Sequence, residues 1–509
     1  MKEKILLFAM GLTMLLISCN KRGLDLVNPN QLTTASFWKT ENDALKATIA
    51  CYSGLTEEGI WKRWCDINFI SRSDEGNSFS PWGDFARYSK FVLPNYNFDP
   101  TGNAWQDHYR TIYRTNQVLA YIPNITMNET LKKRSLAEAK FIRALLYFQL
   151  VTLYGNVPIV TTPSVTTDRP KYSTGEEDYS LIIKDLMEAK PDLPVSYDND
   201  NVGRITKGAV SALLGKVYMQ KRNWALAAPQ LLEVINGPYN LMADFMDNFR
   251  IATENNKESV FEIEFSDIFN GPFWEKDSPN SSKGSRRAIY FSPKQVGGYS
   301  DATATKWTLD QFLLEKTIDG KTDPRLNATF IYNKPEGVDG TRKWWGFTYA
   351  ELAESSADQY WFRKYSNDET TRQVTENSGN NIRLIRLSDI LLLYAECLNE
   401  LDQTGTAYQY IDRVRQRSNM AKLSDAKPGL SKMQMKAQIE HERIVELAAE
   451  DWRWHDLLRW DKLTTQSGLD ELKSHDPEFN LFVLGRDNLL PIPQYELDIN
   501  PNLKQNPKF

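Results

Sequence analysis

A thiol near the N-terminus has neighbours that dictate its chemistry. Lys2 and Lys4 give a charged start, an apolar run extends from Ile5 to Ile17, and Leu16-Ile17-Ser18-Cys19 closes it. That order reads as a lipobox, in which the peptidase cuts before the cysteine and the thiol takes a diacylglycerol. The run is shorter than the roughly 20 residues a spanning helix needs, so residues 1–18 read as a lipoprotein signal peptide and Cys19 as the lipidated residue. Acyl chains there contribute about 0.8 kcal/mol per buried CH₂, enough for a stable anchor.

A second set of residues suits non-covalent capture. A sugar ring offers an apolar C–H face and a rim of hydroxyls; an aromatic ring covers the face, and Asp, Asn and Arg take the hydroxyls. Two loop-like segments carry that mixture. One runs from Ser71-Arg72-Ser73-Asp74-Glu75-Gly76-Asn77 to Trp82, Phe85 and Tyr88, and the other from Phe273-Trp274 through Tyr290 and Tyr299 to Trp307. The candidate ligand-binding residues are Arg72, Asp74, Asn77, Trp82, Tyr88, Trp274, Tyr290 and Trp307, each with core packing as its competing role. A further aromatic group, Trp344-Trp345-Phe347-Tyr349 with Tyr360-Trp361, reads as packing.

Catalytic constellations are missing from the pattern. The chain has no G-x-x-x-x-G-K-[ST] loop, no G-x-G-x-x-G, no H-E-x-x-H and no G-x-S-x-G elbow. Its 4 His and 4 Cys form no cluster at zinc spacing, and His441 and His455 sit in a charged block where a structural role is expected. Carboxylate pairs such as Asp74/Glu75 and Glu262/Glu264 could serve a glycosidase, but 66 acidic residues make such pairs expected by chance. The reading is a binding protein with no catalytic residues, cofactor or metal. A net charge of −5 disfavours nucleic acid as a partner. Cys51 and Cys65 could pair, though three small buried hydrophobes, with Cys397, is the favoured reading.

The elements that must position these residues are mainly helical. Phe37 to Leu55 reads as a helix with Ser36 as N-cap, residues 71–104 as a long loop, and Trp105 to Tyr121 as helix. Leu136 to Tyr154, apolar on most sides, reads as a buried helix closing at Gly155; Val157-Pro158-Ile159-Val160 reads as extended. Leu214-Gly215, Tyr218, Ala227 and Leu231, then Ala395, Leu398, Ala407, Ile411 and Val414, follow tetratricopeptide-like spacing, predicting two helix pairs. Glu258 to Phe265 alternates like a strand inside a loop-rich region. Arg443, Glu446, Glu450 and Arg453 fall at i+3 and i+4, predicting an ion network along one helical face. The expected organisation is signal peptide 1–18, lipidated Cys and tether 19–33, N-terminal helical region 34–253, loop-rich insertion 254–380, and C-terminal helical region and irregular tail 381–509. Residues 34–509 form one unit.

The order of motifs resembles the SusD/RagB family nearly end to end. The residues that carry the likeness are Asp25-Leu26-Val27-Asn28-Pro29; Phe37-Trp38-Lys39-Thr40 with Asp43-Ala44; Glu138 to Ala144 through Leu153-Tyr154-Gly155-Asn156-Val157-Pro158; Arg386-Leu387-Ser388-Asp389 with Tyr394-Ala395-Glu396; Glu442-Arg443 through Arg459-Trp460; and Leu490-Pro491-Ile492-Pro493 with Asn500-Pro501 and Gln505-Asn506-Pro507. The resemblance implies a mainly α fold on tetratricopeptide-like helix pairs. It further implies a lipid anchor in the outer membrane, with capture of oligosaccharide or polysaccharide for nutrient uptake and delivery to a SusC-like TonB-dependent transporter. Peptide capture, as in the RagB branch, is the alternative. Asn20-Lys21-Arg22 departs from the acidic residues that often follow the lipidated Cys in surface lipoproteins of this kind.

Overall fold

Short polar side chains set the helix starts. In α1 (Glu41–Leu55) the Thr40 hydroxyl accepts the Asp43 N–H and the Asp43 carboxylate accepts the Thr40 N–H. This reciprocal cap starts the helix later than the Phe37 expected from sequence. The computed structural model describes residues 37–272, 280–333, 342–353 and 359–509; the lipobox, Cys19, the 19–33 tether and Trp274 lie outside the described residues. Two helices occupy the stretch expected to be a loop: α2 (Gly83–Ser89) and the start of α3 (Asp99–Tyr121). Pro100 sits in the first turn of α3, where a missing N–H leaves no gap in the ladder.

α4 (Glu129–Tyr154) is buried continuously from Phe141 to Tyr154 and ends at Gly155, whose φ of 73° favours glycine. α5 (Gly175–Ala189) packs against it. The two expected helix pairs are α6 (Lys207–Gln220) with α7 (Trp224–Ile235), and α8 (Leu387–Glu400) with α9 (Thr404–Arg417). They stack through α7 and α8. A Cβ at Gly215 would stand 2.5 Å from Leu231 Cδ2, so glycine is what lets α6 and α7 meet.

Strands pin the insertion to this scaffold. In chain order they are β1 (Gly76–Asn77), β2 (Ser259–Ile263), β3 (Thr303–Ala304), β4 (Phe330–Ile331), β5 (Tyr360–Phe362) and β6 (Ile382–Arg386). One sheet runs β1-β3-β5-β4, tying the N-terminal loop to the insertion; β2 pairs antiparallel with β6. β6 corrects the expectation that helix begins near residue 382: helix starts only at Leu387.

The C-terminal part holds α10 (Lys432–Leu447), α11 (Arg453–Arg459) and α12 (Gln466–His475). α12 corrects the expectation of a wholly irregular tail. Beyond it the chain crosses back over α4, where the Asn506 amide donates to the carbonyls of Tyr154 and Leu490 at 2.8 and 2.7 Å. At the other terminus Trp38 stacks on Tyr121 at the end of α3, with centroids 5.1 Å apart. Cys51, Cys65 and Cys397 are free and buried. No helix of the described residues is long and apolar enough to cross a membrane.

The expected ion network exists with different partners. α10 ends at Leu447, and Ala449 and Asp451 take φ of 66° and 69°. The four charged residues therefore do not share one helical face. Arg443 pairs with Asp389 and Asp456; Glu446 receives Arg386, Arg417 and Arg325; Glu450 receives Arg386 and Lys364. Arg453 reaches Asp74. Apart from Arg443–Asp456, which lie 13 positions apart, the pairs join segments distant in sequence.

Candidate functional site

The N-terminal candidate loop folds mostly inward. Asp74 is fully buried and takes two hydrogen bonds from Arg453, both at 2.7 Å, with His475 Nε2 at 3.2 Å. Burial alone would raise its carboxyl; Arg453 and His475 outweigh that and hold it well below the usual carboxylate range. Arg72 is buried, donates to the Asp487 carbonyl at 2.9 Å and lies over the rings of Tyr88, Phe91 and Trp454. Tyr88 is buried and donates to Asn68 Oδ1 at 2.6 Å. Asn77 pairs with Thr303 in the small sheet. Trp307 stacks on His475 with centroids 4.1 Å apart, under the guanidinium of Arg453. These side chains build a floor. Glu75, beside Asp74, has neither carboxylate oxygen hydrogen-bonded, and burial raises it well above its usual value. Glu262 and Glu264 both accept from Asn381. Asp74 and Glu75 are buried, whereas Glu262 and Glu264 line a pocket beside Tyr52 and Phe265.

Trp82 behaves differently. It is 38% exposed at the start of α2, resting on Phe85 and Phe98 with centroids 6.0 and 5.1 Å away. Phe79 is equally exposed, and its N–H donates to the Ser300 carbonyl at 2.9 Å, joining the two candidate segments. From Trp82 a line of polar contacts runs across the face. The Trp82 N–H donates to Ser80 Oγ at 3.1 Å, and the Ser80 side chain lies beside the Asp301 carboxylate. Asp301 pairs with Arg63 at 3.3 Å, Arg63 with Glu58 at 3.4 Å, Glu58 with Arg286 at 2.7 Å, and Arg286 with Glu376 at 2.6 Å. Tyr299 closes the line, donating to Glu376 at 2.5 Å.

The ring of Tyr290, fully buried, sits beneath this line. Arg63 lies 4.5 Å and Arg286 5.3 Å from its centroid, and its hydroxyl has no hydrogen-bond partner. Burial pushes that hydroxyl well above its usual pKa. Arg63 also lies 3.9 Å from the centroid of Trp64. Trp82 and Phe79, exposed at one end, and Tyr299, partly exposed at the other, thus bracket a fixed and mostly covered line of donors and acceptors, an arrangement suited to a polyhydroxylated ligand.

Of the sequence candidates, the structure puts Trp82 on this face, Tyr290 under it, and Arg72, Asp74, Asn77, Tyr88 and Trp307 in the supporting floor. Glu58, Arg63, Phe79, Arg286, Asp301 and Glu376 were not anticipated. The alternation Trp61-Lys62-Arg63-Trp64 was a usable signal for Arg63; the others meet only in the fold.

Two family models cover most of the chain: that of the SusD family matches residues 257–509, and one described as starch-binding and associating with the outer membrane matches residues 54–219. The chain belongs to the SusD/RagB family. SusD-like protein P25 of Formosa agariphila is 27% identical, and the alignment covers 92% of each chain. A solved SusD superfamily protein from Bacteroides vulgatus superposes with a TM-score of 0.80 at 27% identity, over 93% of this chain and 100% of that one. A laminarin-binding SusD-like protein superposes with a TM-score of 0.73 at 25% identity, over 92% and 100% of the two chains. The mainly helical SusD-like scaffold with a loop-rich insertion is shared with these structures.

Proposed function

We propose that this SusD/RagB-family chain captures glycan at the cell surface and delivers it to a SusC-like TonB-dependent transporter, held to the outer membrane by lipid on Cys19. The observation that carries the capture step is the polar line from Trp82 to Tyr299, bracketed by exposed and partly exposed rings and fixed by ion pairs. Such a face offers C–H stacking and hydroxyl recognition without a nucleophile and base arranged for bond cleavage. The laminarin-binding neighbour and the starch-binding family description support a saccharide as the ligand. The anchor rests on the lipobox and the transporter on family membership.

A carbohydrate array combined with product analysis tests this reading. Retention of a polysaccharide with no new reducing ends is the expected result. Turnover would sink the binding-only role, and retention of a peptide pool in preference to every glycan would replace it with RagB-like peptide capture.

A further inference from the structure

The charge order along the proposed capture face selects among saccharides. Three carboxylates, Asp301, Glu58 and Glu376, alternate with two guanidiniums, Arg63 and Arg286. Each guanidinium therefore already has a carboxylate on either side. The Asp301 and Arg286 side chains are 3% exposed, whereas Glu376, at the outer end, is 38% exposed. Approaching ligand meets a carboxylate first. Two lysines also stand near the line, and Lys283, partly exposed, lies close to Lys62. Lys62 is buried and donates to the Ser282 carbonyl at 2.5 Å, and Asp84 and Arg87, next to Trp82, pair with each other.

We infer that the face takes neutral saccharides and rejects chains bearing uronate or sulfate, with Glu376 as a specificity-determining residue. The inference rests on the glycan-capture reading. A sugar hydroxyl both donates and accepts, so it can bridge the edge of an existing carboxylate–guanidinium pair and leave that pair intact. A carboxylate or sulfate only accepts. To bind, it would have to place a further negative charge beside Asp301, Glu58 or Glu376, or separate a guanidinium from its carboxylate, at a partly desolvated surface where like-charge juxtaposition is strongly unfavourable.

The test uses the full chain, solubilised in detergent, in affinity electrophoresis against two panels. One panel is neutral: laminarin, starch, xyloglucan, galactomannan and levan. The other is acidic: alginate, polygalacturonate, chondroitin sulfate and carrageenan. The expected result is retardation by at least one neutral polysaccharide and by none of the acidic ones. Glu376→Gln and Glu376→Lys should then raise association with an acidic chain by about tenfold or more, and the gain should shrink as ionic strength rises from about 0.05 to 0.5 M. A merely structural role for Glu376 would shift the melting temperature without producing this salt-sensitive gain. Preferential retardation of the wild-type chain by an acidic polysaccharide overturns the charge argument alone. Retardation by no polysaccharide overturns the glycan-capture reading and the inference with it.

Discussion

Trp82 and Tyr88 are six positions apart and have opposite fates. Tyr88 is closed into the floor by its bond to Asn68, while Trp82 keeps an open face over Phe85 and Phe98. Trp82→Ala is therefore expected to weaken polysaccharide binding by about 1–3 kcal/mol, the range found for stacking on an aromatic platform. Calorimetric titration beside a melting curve checks it: loss of fold in place of affinity would make Trp82 a core residue. Asp178 gives a prediction in pH. It accepts from Ser173 Oγ at 2.5 Å, and burial raises its carboxyl to about 7. Its folded value lies above its unfolded one, so the stability it contributes is present at low pH and is lost as pH rises from about 4 to 7. The stability of Asp178→Asn relative to wild type should accordingly grow across that interval and level off above it. A difference that is flat from pH 4 to 8, measured by thermal melts, would refute the assignment. At this scale the sequence made Trp82 conspicuous as a ring in a polar loop. It hid Glu58, Arg286 and Glu376 because single charges become a line only when distant segments fold together.

Helix pairs were legible because spacing and small residues record a close approach. At Gly215 the record is steric: a Cβ meets Leu231 at 2.5 Å. Gly215→Val should wedge α6 from α7 and destabilise the protein by about 1–3 kcal/mol, the usual effect of overpacking. Chemical denaturation should show a lower midpoint at an unchanged slope; an unaltered midpoint would mean that Leu231 swings clear. The misread elements have local causes. β6 (Ile382–Arg386) runs into α8 at Leu387 with no glycine, proline or capping hydroxyl between them, the N-cap being Arg386 without a side-chain cap, so no helix-start signal marks where extended chain becomes helix. The break after α10 falls at Ala448-Ala449, residues that favour helix, and the positive φ of Ala449 leaves no compositional trace. The spacing of Arg443, Glu446, Glu450 and Arg453 correctly marked a charged block but assigned its partners within the block.

At the scale of the molecule, those buried pairs hold together segments that hydrophobic packing alone would leave free to slide. Asp74 bridges the N-terminal loop to α11, and Arg386 bridges β6 to the end of α10 and the turn beyond it. Acid should dissolve this connection. Burial opposes ionisation of Asp456, yet Arg443 and Arg459 bring its carboxyl down to about 2; Glu446 is likewise held low by Arg417, Arg386 and Arg325. Their folded values lie below the unfolded ones, so their contribution is complete above about pH 4 and disappears as pH falls toward 2. Burial also lowers His108 to about 4 and His455 to about 3, which acts in the same direction. Cooperative loss of near-ultraviolet circular dichroism between pH 4 and 2 is expected; retention of that signal at pH 2 would show that the pairs are dispensable.

α3 has one further consequence. Its 23 residues make a rod of roughly 35 Å at 1.5 Å per residue. Trp82 leans on Phe98 at one end, and Trp38, where the described chain begins, stacks on Tyr121 at the other. Trp38 and the Trp82 platform are thus separated by a rigid strut. The standoff between the first described residues and that platform is set by a single helix, whatever the length of chain that precedes Phe37.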